Sequence, residues 1–304
     1  MVKSFFRIVG LMLLGLLTGC GSGAVMSASG IVFVSERDGE GDLYRMQVDG
    51  TGLLRLTDDP ALDTDPAWSA DGTQIAFRSR RTGNSDIYVM EATGGRLRNL
   101  IDDPEDSWDD EFAPSWAPDG QRLAIITDRF NLGGCSAHQV ALLPLQGGRE
   151  SIQLLDALSG NQRSVAWSPD GRRIAFNSLC QTEENNVYLW DLKTRTLTQL
   201  TEKAGINHQP AWSYSGRWLA FASNRGGDFD IYRLEIATGE LVNLTNHQGA
   251  DSQPTWSPDD SQLAFVTDRD GNEEIYVMAV DGSTPINLTQ NPARDYAPAW
   301  SPVK

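Results

Sequence analysis

The stretch AWSPDGRRIAF, Ala166–Phe176, decides the reading of this chain, because something close to it occurs six times in 304 residues. The matching tryptophans are Trp68, Trp116, Trp167, Trp212, Trp256 and Trp300, separated by 48, 51, 45, 44 and 44 residues. A self-similar period of roughly 40–50 residues marks stacked supersecondary units and takes precedence over any local motif.

Each repeat carries four short segments. The first ends in Pro-Ala-Trp-Ser or a variant, as at Pro210–Ser213, and runs into a turn such as Pro169-Asp170-Gly171. An apolar run follows: Ile75-Ala76-Phe77, Leu123-Ala124-Ile125, Ile174-Ala175-Phe176, Leu219-Ala220-Phe221 and Leu263-Ala264-Phe265. The third segment reads Ile87-Tyr88 or its like, and the fourth ends near Leu-Thr, as at Leu244-Thr245. The runs are rich in β-branched and aromatic residues and bounded by Gly, Pro, Asn and Asp, which is strand chemistry. Asp-Gly turns make neighbouring strands antiparallel. Four short antiparallel strands, six times over, predict an all-β, six-bladed β-propeller spanning residues 31–304. Packing blade on blade buries what one sheet cannot, and the six Trp residues are read as filler between blades.

The ends carry a second clue. Ile31–Arg37 reads as the second strand of a blade with no Trp-Ser strand before it, and YAPAWSPVK at the C-terminus reads as a first strand with nothing after it. The two fragments complete one blade only if the C-terminal strand pairs beside Ile31–Val34. A ring without that join would expose two sheet edges.

Ahead of the repeats, Lys3 and Arg7 precede an apolar run, Ile8–Leu17, too short to span a bilayer comfortably. That is the pattern of an export signal. Leu17-Thr18-Gly19-Cys20 resembles a bacterial lipobox, which implies cleavage before Cys20, lipid on its thiol, and a lipoprotein on the periplasmic or extracellular face of a membrane. Residues 20–30 read as a flexible tether. The formal charge of −16 repels phosphate backbones, so nucleic acid is not an expected partner.

Trp-Ser-Pro-Asp-Gly, Ile-Ala-Phe, Ser-x-Arg and Asp-Ile-Tyr, clearest in WSPDDSQLAFVTDRDGNEEIYVMAVDG (Trp256–Gly282), resemble the TolB-type β-propeller repeat from Ile31 to Pro302. The resemblance implies the propeller fold, here expected without the N-terminal α/β domain that TolB carries. Relatives of this kind serve as binding platforms, as domains of prolyl peptidases and as lyases.

Five residues before each Trp stand Asp63, Glu111, Gln162, Asn207, Asp251 and Asp295. Equivalent positions in a propeller form a circle, expected at the mouth of the central channel. Asp63, Glu111, Asp251 and Asp295 would suit a Ca²⁺ ion, which takes several oxygen ligands, or the end of a basic peptide, or they are solvated loop residues. Arg37, Arg80, Arg129, Arg225 and Arg269 recur after the second strand, and Asp42, Asp86, Asp230 and Glu274 before the third. These are read as an internal Arg–carboxylate brace. Trp108 lies outside the repeat in the acidic loop DDPEDSWDDE, as a partner contact or folded back on its loop. Cys135 and Cys180 fall in loops of neighbouring blades on one face. Export permits their pairing as a disulfide, the alternative being two free thiols.

No Gly-x-Ser-x-Gly elbow is present. The three histidines, His138, His208 and His247, lack zinc-site spacing. His208, beside ring position Asn207, is the best single acid–base candidate, against a plain loop histidine. The expected function is a lipid-anchored platform that binds an envelope protein or basic peptide through its acidic loop face and channel mouth. The alternatives are a hydrolase or lyase acting on a polysaccharide or small ester at that mouth, and a purely structural envelope module.

Overall fold

The computed structural model describes residues 30–101, 109–130, 137–155, 160–179, 185–202 and 205–302. These form six four-stranded antiparallel sheets arranged as the blades of a propeller. Strands within each blade are called A to D. Blade 1 is Asp63–Trp68, Gln74–Ser79, Asp86–Glu91 and Arg98–Asn99. Blade 2 is Glu111–Trp116, Arg122–Thr127, Gln139–Pro144 and Gln153–Leu154. Blade 3 is Asn161–Trp167, Arg173–Leu179, Asn185–Asp191 and Thr196–Gln199. Blade 4 is Asn207–Trp212, Trp218–Ser223, Asp230–Glu235 and Leu241–Asn243. Blade 5 is Asp251–Trp256, Gln262–Thr267, Glu274–Ala279 and Ile286–Asn287.

Blade 6 takes its A strand, Asp295–Trp300, from one end of the chain and B to D, Ile31–Ser35, Asp42–Met46 and Leu54–Arg55, from the other. Ile31 lies opposite Trp300 and Ser35 opposite Asp295 in an antiparallel register. The join gives Ile31–Ser35 a partner on both sides, which is why the two partial repeats at the chain ends complement each other.

The A–B turn follows from the side chains. In blade 3, Ser168 Oγ donates to Asp170 Oδ1 (2.6 Å), while Asp170 accepts from Arg172 N and Ser168 Oγ from Arg173 N. Gly171 sits at φ 70°, where a Cβ is unfavourable. Blade 5 puts Asp260 there at φ 58°.

There is no central core. Six apolar clusters each lie between two neighbouring blades, such as Ala76, Ile87 and Val89 of blade 1 against Trp116, Leu123 and Ile125 of blade 2. All six A-strand tryptophans are buried, as interblade filler requires. The indole N–H groups of Trp68, Trp116 and Trp256 donate to the preceding blade at Ala299, Ala67 and Ala211 carbonyls, 3.0–3.1 Å away. At about 200 Å² each, every buried indole contributes roughly 4 kcal/mol of gross transfer energy to its interface. Among the described residues, no helix is long and apolar enough to cross a membrane.

Candidate functional site

The circle five residues before each Trp is inside the blades, not on the channel wall. Asp63, Glu111, Gln162, Asn207, Asp251 and Asp295 all have no exposed surface. Each lies opposite the Ser or Thr that ends strand B or, for Gln162, opposite Ser178. In the five blades other than blade 3, an arginine two residues beyond that Ser or Thr folds back onto the pair. Arg81 Nε donates to Ser79 Oγ (2.8 Å) and Nη2 to Asp63 (2.8 Å). Arg37 holds Asp295 and Arg269 holds Asp251 in the same way, while Arg129 reaches Glu111 through Nη2 (3.4 Å), and Thr127 Oγ1 donates to the same carboxylate oxygen. Arg225 takes the amide oxygen of Asn207 (2.7 Å). The guanidinium groups of Arg37, Arg81, Arg225 and Arg269 also lie over a strand-B Phe and a strand-C Tyr, within 6 Å of each ring centre. Burial pushes the Asp295 carboxyl up from its ordinary value, opposed by Ser35 and Arg37.

Three expectations are thereby corrected. The brace exists, but Arg81 rather than Arg80 supplies it in blade 1. Its carboxylates are those of strand A. The strand-C acids tie strand C to strand D instead: Asp86 binds Asn99, Asp230 binds Asn243, and Asp42 binds Arg55. The Ca²⁺ reading, one of three open for Asp63, Glu111, Asp251 and Asp295, is left without a ligand set, since each carboxylate is engaged by its own arginine. Among the described residues no three His, Cys, Asp or Glu side chains gather to hold a metal ion. Cys20, Trp108, Cys135 and Cys180 lie outside the described residues.

The channel wall is built two residues later. In every A strand the pairing slips at a bulge, between the residues four and one before Trp or, in blade 3, five and two before it. At the residue three before Trp the backbone is left-handed in five blades: Asp65, Ala113, Gln209, Gln253 and Ala297, all at φ 50–56°. A bulge adds one residue and re-aims the side chains around it. These side chains stitch blade to blade. Ser164 Oγ accepts from Gln209 N (3.1 Å), Gln209 Oε1 from Gln253 N (3.0 Å), Gln253 Oε1 from Ala297 N (2.6 Å), and Asp65 Oδ2 from Ala113 N (3.4 Å). The stitch lapses after Ala113 and Ala297, whose side chains carry no acceptor.

A cavity of about 540 Å³ opens on this ring. Its wall includes Asp65, Arg78, Arg163, Asn177, Asn185, His208, Gln209 and Gln253, with Pro66, Pro210, Pro254 and Pro298 between them. His208 is therefore the one ring-associated residue that the structure keeps at the mouth. Its imidazole packs edge-on against Phe229 at 4.8 Å. Burial lowers its proton affinity, opposed by a hydrogen bond to Gln209. Arg78 and Asn177 occupy a strand-B row that is otherwise Val34, Ile126, Ala222 and Val266. Departure from the repeat was the available signal for both.

On the Trp side a second cavity, about 380 Å³, is lined by Trp68, Trp116, Trp167, Trp212, Trp256 and Tyr214. Tyr214 stands where other repeats have Pro or Ala. Its hydroxyl donates to the carbonyl of Trp300, two blades away (3.3 Å), and Asp260 accepts from Tyr214 N (2.6 Å) and Ser215 N (3.0 Å). Burial raises the Tyr214 hydroxyl's pKa, with the Asp260 charge adding to it.

The TolB beta propeller domain family matches residues 26–131, 105–249 and 230–303, which is nearly all of the repeat region. The chain belongs to the TolB β-propeller family. A TolB crystal structure from Acinetobacter baumannii superposes with a TM-score of 0.74 at 22% identity, over 90% of this chain and 66% of that one. The likeness shows the fold. An uncharacterized protein of Agrobacterium fabrum is 27% identical over 40% of this chain and 53% of its own length. The Tol-Pal system protein TolB of Alcanivorax borkumensis is 38% identical over 21% of this TolB-type chain and 15% of its own. The chain thus spans about half or less of these curated relatives.

Proposed function

We propose that this propeller is an exported, lipid-anchored binding platform of the cell envelope, seating a segment of another envelope protein in the cavity on the bulged ring. One observation carries the reading. The polar side chains that follow the repeat are consumed in bracing blades, whereas those that break it, Arg78, Arg163, Asn177 and His208, line one cavity. Structure uses the first set in five of the six blades. The second set has no structural duty that recurs, and departures that line a cavity on a rigid scaffold are where binding is found. The leader of residues 1–19, ending just before Cys20, and the family relation to a Tol-Pal protein support the envelope location. They also favour binding over the hydrolase or lyase alternative.

The test is site-specific photocrosslinking in the native envelope. A photoreactive residue at Ser252, on the A strand beside the ring, is expected to capture a discrete envelope protein. One at Ile286, 60% exposed on the outer strand of the same blade, is not. Equal capture from both positions, or none from Ser252, would remove the channel from the function. Membrane fractionation of Cys20→Ala addresses the anchor separately, and the variant is expected in the soluble fraction.

A further inference from the structure

The cavity on the bulged ring offers more hydrogen-bond donors than its own acceptors use. Arg163 is exposed at the wall and makes no ion pair or side-chain hydrogen bond among the described residues. Arg78 Nε is buried with no hydrogen-bond partner, and the nearest carboxylate oxygen, Asp65 Oδ2, stands 3.7 Å away. That is beyond hydrogen-bond reach. The carboxamide oxygens of Gln209 and Gln253 are committed to the next blade. Their Nε2 groups have no acceptor among the described residues. Asn185 likewise accepts from Asn177 through Oδ1 and keeps its Nδ2 free. Two guanidinium groups and three amide donors therefore face a space in which Asp65 is the one carboxylate.

A buried donor without an acceptor is costly, so the arrangement suits a ligand that brings acceptors and negative charge. We infer that the cavity recognises a carboxylate on a bound peptide segment, an acidic side chain or a chain terminus, between Arg163 and Arg78. This deepens the platform reading and rests on it. It also reverses the sign expected from the acidic circle, whose charges are spent on buried arginines. The overall charge of −16 does not forbid it, because screening confines that field to roughly 8 Å at physiological ionic strength. A peptide is preferred to an acidic sugar because the carboxamide donors match main-chain carbonyls.

The test uses the full chain and three dye-labelled peptides of one Gly-Ser-Pro background, carrying Glu, Gln or Lys at the same positions, read by fluorescence anisotropy. An oligogalacturonate serves as competitor. The Glu peptide is expected to bind about tenfold more tightly than the Gln peptide, the scale of one charge-assisted hydrogen bond. Arg163→Gln should erase that preference, Arg163→Lys should keep part of it, and Asp65→Asn should strengthen it. Opposite signs from two wall substitutions separate recognition from disturbed folding. A preference for Lys, no preference at all, or a Glu preference that survives Arg163→Gln overturns the carboxylate inference and leaves the platform standing. Binding of none of the peptides overturns both, as does oligogalacturonate binding through Arg163 in their absence.

Discussion

Arg269 places Nη2 3.1 Å from Oδ1 of Asp251, eighteen residues earlier, and the carboxylate it reaches has no exposed surface at all. The same interval joins Arg81 to Asp63, Arg129 to Glu111 and Arg225 to Asn207. In blade 6 the pair Arg37 and Asp295 spans the two ends of the chain. Each pair locks the start of strand A to the loop leaving strand B, so the brace closes five of the six blades at the same corner; blade 3 has Gln162 there, bonded to Gly160 O and Ser178 Oγ.

Breaking one such pair from the arginine side leaves a buried charge uncompensated. Arg269→Ala is expected to cost about 3 kcal/mol, the scale for stranding one member of a buried pair. Arg269→Ala combined with Asp251→Asn should recover part of that loss, because the neutral amide costs less to bury. Denaturant titration of the two variants and the double variant checks the coupling. A double variant no better than Arg269→Ala alone would mean that the guanidinium acts by stacking on Phe265 and Tyr276, not by charge.

The fold was legible because its signal repeats. A tryptophan every 44–51 residues, followed by the same turn, cannot be read as chance, and unpaired half-blades at the two ends point to each other. The site was legible only in outline. Counting back from Trp identifies equivalent positions, yet it does not say which way they face. The bulge in strand A inserts one residue, so the regular alternation fails there and positions three and five before Trp part company. Asp63 turns into the blade while Asp65 reaches the channel wall. Nothing in Asp63-Thr64-Asp65-Pro66 announces that slip. The run Ser79-Arg80-Arg81 hid the bracing arginine for a simpler reason, since either residue fits the spacing. Arg78 was visible as a cation in an apolar row, but only once the rows were known to be strands.

The interrupted stitch around the channel gives a second prediction. At Ala113 and Ala297 a left-handed residue carries no acceptor for the next blade. Asn tolerates that conformation better than Ala and brings an amide oxygen. Ala297→Asn, reaching toward the blade of Asp65, is expected to stabilise the ring by roughly 1 kcal/mol, a typical net hydrogen bond. A raised thermal midpoint with an unchanged denaturant slope is the expected readout. A lowered midpoint would show that no room exists for the added side chain.

His208 sets a pH dependence with a definite sign. Burial against Phe229 lowers its proton affinity in the folded chain, so around the ordinary value of 6.5 the unfolded chain binds more protons. Stability from this residue is present in full above that value and is lost as pH falls through it. Unfolding midpoints measured at pH 7.5 and 5.5 should therefore differ less in His208→Gln than in the parent. The same difference in both would mean that another group carries the titration.

Ring closure is the last of the four tests. Trp300 fills the interface between blades 5 and 6, Asp295 receives Arg37, and the strand between them covers Ile31–Ser35. Deleting residues 295–304 removes all three together. It exposes strand Ile31–Ser35 along its hydrogen-bonding edge, and unpaired edges invite pairing with another chain. Because each apolar cluster joins only two neighbouring blades, loss of one seam opens the whole ring and does not fray a single end. The truncated chain is expected to lose its cooperative unfolding transition and to associate on gel filtration. Adding a synthetic peptide of residues 292–302 should restore part of the monomer. A truncated chain that stays monomeric, with the parent's unfolding midpoint, would mean that the seam between the two ends does not hold the propeller shut.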